Sequence, residues 1–237
     1  AAAEVLGVCF HVGSQCMDPG VYERALDLAG RVIAEAGVTI DGIDVGGGFP
    51  VSYPDVTPPA LGEYFDAIER GFARLGLAEG TRLWCEPGRA LVAAGASLVV
   101  QVEARRGDVL YINDGVYGSL SDAGVPKWRF PARLARKADG SAIEAGAGTT
   151  AFAFYGPTCD SADFMQGPFH LPSDIKTGDW IELGQLGAYG ACLRTAFNGF
   201  DRTLITEVRD EPLLSTPGHL DGQGTTAGNP AITNALA

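Results

Sequence analysis

The residues able to do chemistry are concentrated in four short motifs: HVGSQ at His11 to Gln15, VGGGFP at Val45 to Pro50, CEPGR at Cys85 to Arg89, and GPTCDSAD at Gly156 to Asp163. Each combines glycine or proline with a polar or ionisable group. Glycine lets backbone N–H groups approach an anion without an intervening Cβ, and an arginine adds a charge-assisted, two-pronged contact that lysine does not reproduce. Together the motifs point to one site for a phosphate-bearing cofactor. An isolated triple glycine is more often a tight turn, a histidine after a strand a hydrogen-bonded loop residue, and a lone cysteine a buried thiol. The weight therefore lies in the constellation.

The elements that must position these loops are legible in the hydrophobic pattern. The β-prone run Val5 to Phe10 leads into His11. Asp18 and Pro19 then give a helix start, Ala25, Leu28, Val32 and Ile33 recur at helical spacing, and Gly37 supplies the stop. Strand Thr39 to Val45 follows, then a helix with Leu61, Tyr64, Phe65, Ile68, Phe72 and Leu75, then strand Arg82 to Cys85. Strand and helix alternating in this way make βα units with parallel strands, so the first three loops share the carboxyl end of one sheet. After Ala90 the helical period gives way to β-rich runs at Ser97 to Ala104, Val109 to Asn113, Ala151 to Tyr155, Trp180 to Leu183 and Thr203 to Val208, which predict an antiparallel β domain. The expected division is 1–95, 96–214, and a loose tail at 215–237.

Composition narrows the function classes. A chain of 237 residues with 46% hydrophobic content can bury a substantial core, and a net charge of −12 offers no footprint for nucleic acid or an anionic membrane. No run approaches a membrane span and no signal-like N-terminus is evident, so a cytoplasmic location is expected. The five cysteines lack a CxxC pair and read as reduced thiols, with no metal expected.

With these residues in view, the chain resembles the ornithine/diaminopimelate/arginine decarboxylase family. The resemblance runs from about Leu6 to Arg209 and includes NDGVYGS at 113–119, GAYG at 187–190 and FNGF at 197–200 besides the four motifs above. It implies an α/β fold: the C-terminal portion of an eight-stranded βα barrel of the alanine-racemase type that binds pyridoxal phosphate, followed by the antiparallel β domain. It further implies that His11 stacks on the cofactor ring, that Glu86 pairs with the pyridine nitrogen, and that Ser14, Gly47, Gly48, Gly88, Arg89 and Tyr189 surround the phosphate. Cys159 takes the role of proton donor and Asp160 that of the group holding the substrate's distal amine, both across a homodimer interface. Asp122 is a candidate substrate contact.

The motif set lies nearer to ornithine or lysine decarboxylases, implying conversion of a basic L-amino acid to a diamine; diaminopimelate and arginine are the alternative substrates. The family's Schiff-base lysine lies upstream of HVGSQ, and Lys127, Lys137 and Lys176 have no barrel-strand setting. The resemblance therefore implies a missing N-terminal barrel half, in cis or in trans, and an isolated chain without activity. Two other classes compete: a catalytically dead homologue acting by protein binding, and a dinucleotide-binding enzyme, disfavoured because the glycines lack GxGxxG spacing.

Overall fold

The computed structural model describes residues 3–141, 143 and 148–219. They form two compact units. The first takes in the chain up to Ser52 together with Pro58–Leu91; the second takes in Tyr53–Thr57 and the chain from Val92 onward.

The first unit is a parallel sheet of β1 (Gly7–Cys9), β2 (Gly42–Asp44) and β3 (Arg82–Trp84), paired in that order. Helix α1 (Gly20–Ala36) connects the first two strands and α2 (Leu61–Arg74) the next two. Asp18 starts α1, accepting the Gly20 N–H on its side chain and the Val21 N–H on its carbonyl, while Pro19 holds helical angles. Gly37 ends the helix in the left-handed conformation, its N–H reaching the carbonyls of Ile33 and Ala34. Glu63 accepts the Ala60 N–H at the start of α2, one half of a capping box.

The buried stripe of α1 differs from the expected one. Tyr22, Leu26, Ala29 and Ile33 face the core, whereas Leu28 and Val32 are 49% and 53% exposed. The offsets of 4, 3 and 4 residues follow a single helical face, and Leu28 and Val32 fall on the adjacent one. Tyr22 and Leu26 pack with Ile43, Val45, Phe49, Tyr64 and Ile68 in one apolar cluster.

The second unit is a six-stranded sheet of β4 (Leu98–Arg106), β5 (Val109–Ile112), β6 (Ala132–Arg136), β7 (Thr149–Tyr155), β8 (Phe164–Pro172) and β9 (Trp180–Leu183), in the order β6-β9-β4-β5-β7-β8. Neighbours are antiparallel apart from the parallel pair β5 and β7. The end strands β6 and β8 pack together, so the sheet curls on itself. Inward-facing Val100, Leu110, Phe152, Phe154, Met165, Phe169 and Ile181 fill it, with the Phe154 and Phe169 rings stacked at 4.1 Å.

Strands β6 and β8 are additions to the sequence expectation. Conversely, Thr203 to Val208 forms no strand among the described residues, and Leu204 and Ile205 are 100% and 86% exposed. Within the segment read as a tail, Thr216 is buried and its hydroxyl accepts the Ala132 N–H; residues 220–237 lie outside the described set. Among the described residues no helix is long and apolar enough to cross a membrane.

Candidate active site

In the first unit the three expected loops are tied to one another by main chain. Phe10 N–H donates to the Asp44 carbonyl, Cys16 N–H to Gly48, Val45 N–H to Trp84, and Glu86 N–H to Gly46, at 2.8–3.1 Å. HVGSQ thus leans on VGGGFP, and VGGGFP on CEPGR. Two buried tyrosines brace them from below: Tyr22 donates to the Gly47 carbonyl at 2.8 Å and Tyr64 to the Cys16 carbonyl at 2.7 Å. Burial pushes both phenols above their ordinary values, so they stay protonated donors.

The glycines are required by proximity. A Cβ on Gly46 would lie 2.1 Å from the Phe10 carbonyl oxygen, and Gly46 itself sits at φ +68°. A Cβ on Gly47 would meet the Glu86 carbonyl oxygen at 2.9 Å and His11 Nε2 at 3.3 Å, so His11, Gly47 and Glu86 are immediate neighbours. The exposed His11 ring is oriented by its Nδ1, which accepts the Gly13 N–H at 2.9 Å.

Glu86 is exposed, and its carboxylate lies within 4.8 Å of those of Asp44 and the Cys9 thiol. Burial, then Asp44 and Glu86, push the Cys9 thiol above its ordinary value, so it stays protonated. Ser14 is exposed on its loop. Gly88 opens the short helix α3 (Gly88–Val92), with nothing within 4 Å of where its Cβ would stand, and Arg89 in the same turn is buried.

The second unit brings three further motifs together. Asp163 is fully buried and accepts from Val116 N–H at 2.7 Å, Thr158 N–H at 3.1 Å and the Thr158 hydroxyl at 2.7 Å. It thereby joins NDGVYGS to GPTCDSAD. The Tyr117 hydroxyl donates to Asp160 Oδ2 at 2.9 Å, while the Ala162 N–H donates to Oδ1 at 2.9 Å. Those two donors, the amide first, hold the Asp160 carboxyl below its ordinary value.

Cys159 is exposed at φ +57°, a left-handed conformation unusual for a side chain of this type. FNGF contributes Asn198, whose amide donates to the Thr158 carbonyl at 2.9 Å. Tyr189, also left-handed, is 40% exposed on the turn after β9. Asp122 stands apart in sequence, in the short turn Ser121–Ala123, where its carbonyl accepts the Trp128 N–H.

Tyr117 and Asp163 hold these second-unit loops together although the motif reading gave them no role. Both lay inside quoted motifs. The missing information was their partners, which are 43 and 47 residues away.

The family described as pyridoxal-dependent decarboxylase, pyridoxal binding domain, matches residues 2–93, the stretch that carries the three tied loops. Over residues 2–93 the chain belongs to the pyridoxal-dependent decarboxylases. Among these decarboxylases it is 32% identical to the lysine/ornithine decarboxylase of Selenomonas ruminantium over 90% of this chain and 53% of that protein. The solved lysine/ornithine decarboxylase of Vibrio vulnificus, complexed with cadaverine, aligns at a TM-score of 0.65 with 30% identity, over 82% of this chain and 51% of that one. The arginine decarboxylase of Paramecium bursaria Chlorella virus, bound to agmatine, aligns at 0.69 with 28% identity, over 84% and 53%. The chain spans about half the length of the curated relatives it matches.

Proposed function

We propose that the protein is a pyridoxal-phosphate-dependent decarboxylase of a basic L-amino acid, ornithine or lysine, releasing carbon dioxide and a diamine. The observation that carries this reading is the main-chain tie between HVGSQ, VGGGFP and CEPGR, which sets the His11 imidazole and the Glu86 main chain against the backbone of Gly47. The residues fit the cofactor. Gly47 has no room for a side chain, Gly88 leaves its surroundings open, and the exposed residues His11 and Glu86 both border Gly47.

When bound, pyridoxal phosphate supplies an electron-accepting ring. In this reading Glu86 holds the proton on the pyridine nitrogen and His11 lies against the ring face. Ser14, Gly47, Gly48, Gly88, Arg89 and Tyr189 take the phosphate through hydroxyl, amide and guanidinium donors. Cys159 delivers a proton to the carbon from which carbon dioxide has left. Asp160, already anionic and fixed by two donors, receives the distal ammonium of the substrate; Asp122 is assigned a supporting contact to it. We carry over the homodimer from the family, with Cys159 and Asp160 acting across its interface.

None of the chain's three lysines is assigned to the cofactor aldehyde. All three belong to the second unit, Lys137 and Lys176 pair with Asp174 and Asp139, and the Asp139 contact raises the Lys176 ammonium above its ordinary value, the opposite of what a nucleophilic amine requires. The preference for a basic substrate is supported by Asp160 and by the cadaverine and agmatine named for the two solved relatives.

The test is carbon dioxide release by the full-length protein with added pyridoxal phosphate, across ornithine, lysine, arginine and diaminopimelate. Release from ornithine or lysine well above the other two is expected. Release confined to diaminopimelate or arginine overturns the substrate assignment, and none from any of the four overturns the activity.

A further inference from the structure

Segment 194–200, between the GAYG turn and the end of FNGF, grips both loops of the second unit that carry candidate chemistry. Arg194 Nη1 donates to Asp114 Oδ2 at 2.5 Å and to the Ser119 hydroxyl at 2.8 Å, and the two ion-paired side chains are only 12% and 9% exposed. Asp114 in turn accepts the N–H groups of Gly115 and Ser119 on its other oxygen, closing the NDGVYGS loop. One residue on, Thr195 N–H donates to the Tyr117 carbonyl at 2.9 Å, and the Phe197 ring packs on Tyr117 at 4.4 Å. Asn198 then reaches the Thr158 carbonyl next to Cys159.

From these contacts we propose that Arg194 is a positioning residue: through its buried pair with Asp114 it pins segment 194–200 to the NDGVYGS loop, and so fixes the GPTCDSAD loop that presents Cys159 and Asp160. The relay from Arg194 to Cys159 is short and continuous. Asp114 shapes the loop whose Val116 N–H meets Asp163, Asp163 binds Thr158, and Thr158 precedes Cys159. Cys159 needs such support, because its left-handed backbone is costly unless the surroundings impose it. Asp114 and Ser119 are both served by the one nitrogen Nη1, while Nη2 reaches the Phe200 carbonyl at 3.5 Å, so lysine in place of Arg194 keeps the charge for the first pair and loses the second contact.

The functional significance of this relay rests on the assignment of Cys159 and Asp160 to the substrate, but its test does not. The full-length protein, as wild type, Arg194→Met and Arg194→Lys, is treated with iodoacetamide and the alkylation rate of each cysteine is followed by peptide mass spectrometry. Buried Cys16 reports global opening, and Cys9 and Cys85 report the first unit. Arg194→Met is expected to change the Cys159 rate by about fivefold or more, the equivalent of releasing one modest interaction, with Arg194→Lys in between and Cys16, Cys9 and Cys85 unchanged. A selective change in either variant supports the assignment. A Cys159 rate that stays put in both, or moves only together with Cys16, overturns it. Failure of the wild type to decarboxylate ornithine or lysine defeats the functional reading while leaving this result to stand or fall by itself.

Discussion

The two units hold their loops by different means. In the first, His11 and Glu86 are fixed by main-chain hydrogen bonds and by glycines where a Cβ would strike a neighbouring carbonyl. In the second, Cys159 and Asp160 are fixed by side chains, chiefly the buried carboxylates of Asp114 and Asp163. A main-chain tie survives most changes of side chain and fails only where a glycine is lost. A carboxylate hub concentrates several donors on one group, so a single substitution leaves them all unsatisfied.

The contrast is sharpest at the glycines of the first unit. Gly46→Ala adds a Cβ 2.1 Å from a carbonyl oxygen at a left-handed backbone, and is expected to cost about 3 kcal/mol or more in a urea melt. Gly88→Ala meets nothing within 4 Å and is expected to stay within about 0.5 kcal/mol of wild type. Equal costs at the two positions would break the account of the first unit.

In the second unit, Asp163→Ala strands the Val116 and Thr158 amides and the Thr158 hydroxyl. The expected loss is about 2–3 kcal/mol, with Asp163→Asn milder because it retains an acceptor oxygen. A neutral Asp163→Ala would show that the hub is dispensable.

Tyr117→Phe removes one donor from Asp160 and leaves the ring contact with Phe197. Under the proposed function it raises KM for ornithine or lysine by about tenfold, the lower end of the worth of one hydrogen bond to a charged group, and leaves kcat nearly unchanged. A fall in kcat at constant KM would move Asp160 away from ground-state binding.

The smallest effect concerns pH. His170 stacks on His219 at 4.0 Å, with Asp55 and Arg129 alongside. Burial first, then His219 and Arg129, against Asp55, hold the His170 pKa below its ordinary value of 6.5. A folded value below the unfolded one means the unfolded chain takes up the proton first. This contribution to stability is full above about pH 6.5 and is lost as pH falls through the folded value. Urea midpoints at pH 7.5 and 5.5 should converge in His170→Gln relative to wild type.

Much of the first unit was legible because its signals are local. Asp18 with Pro19, Gly37, and the alternation of apolar runs with glycine loops lie within a few residues of the structure they dictate. The buried stripe of α1 was misassigned because Leu28 and Val32 are as apolar as Leu26 and Ile33, and only contact with the sheet decides between two neighbouring faces. In the second unit β6 was hidden by arginines in its short run, and β8 by Gly167, Pro168 and Pro172, which read as breakers. The hubs were hidden for a different reason. Asp114 and Arg194 are 80 residues apart, and nothing in either residue's neighbourhood announces the other.

The central claim is that Glu86, held beside His11 by main chain, makes a bound pyridine ring electron-poor enough for decarboxylation. Its most direct measurement is carbon dioxide release from ornithine and lysine by the full-length protein, wild type against Glu86→Ala, with pyridoxal phosphate saturating in both. The account predicts a loss on the order of a hundredfold or more in kcat with the melting temperature little changed, since the side chain is exposed. Turnover that survives Glu86→Ala at a comparable rate would contradict it.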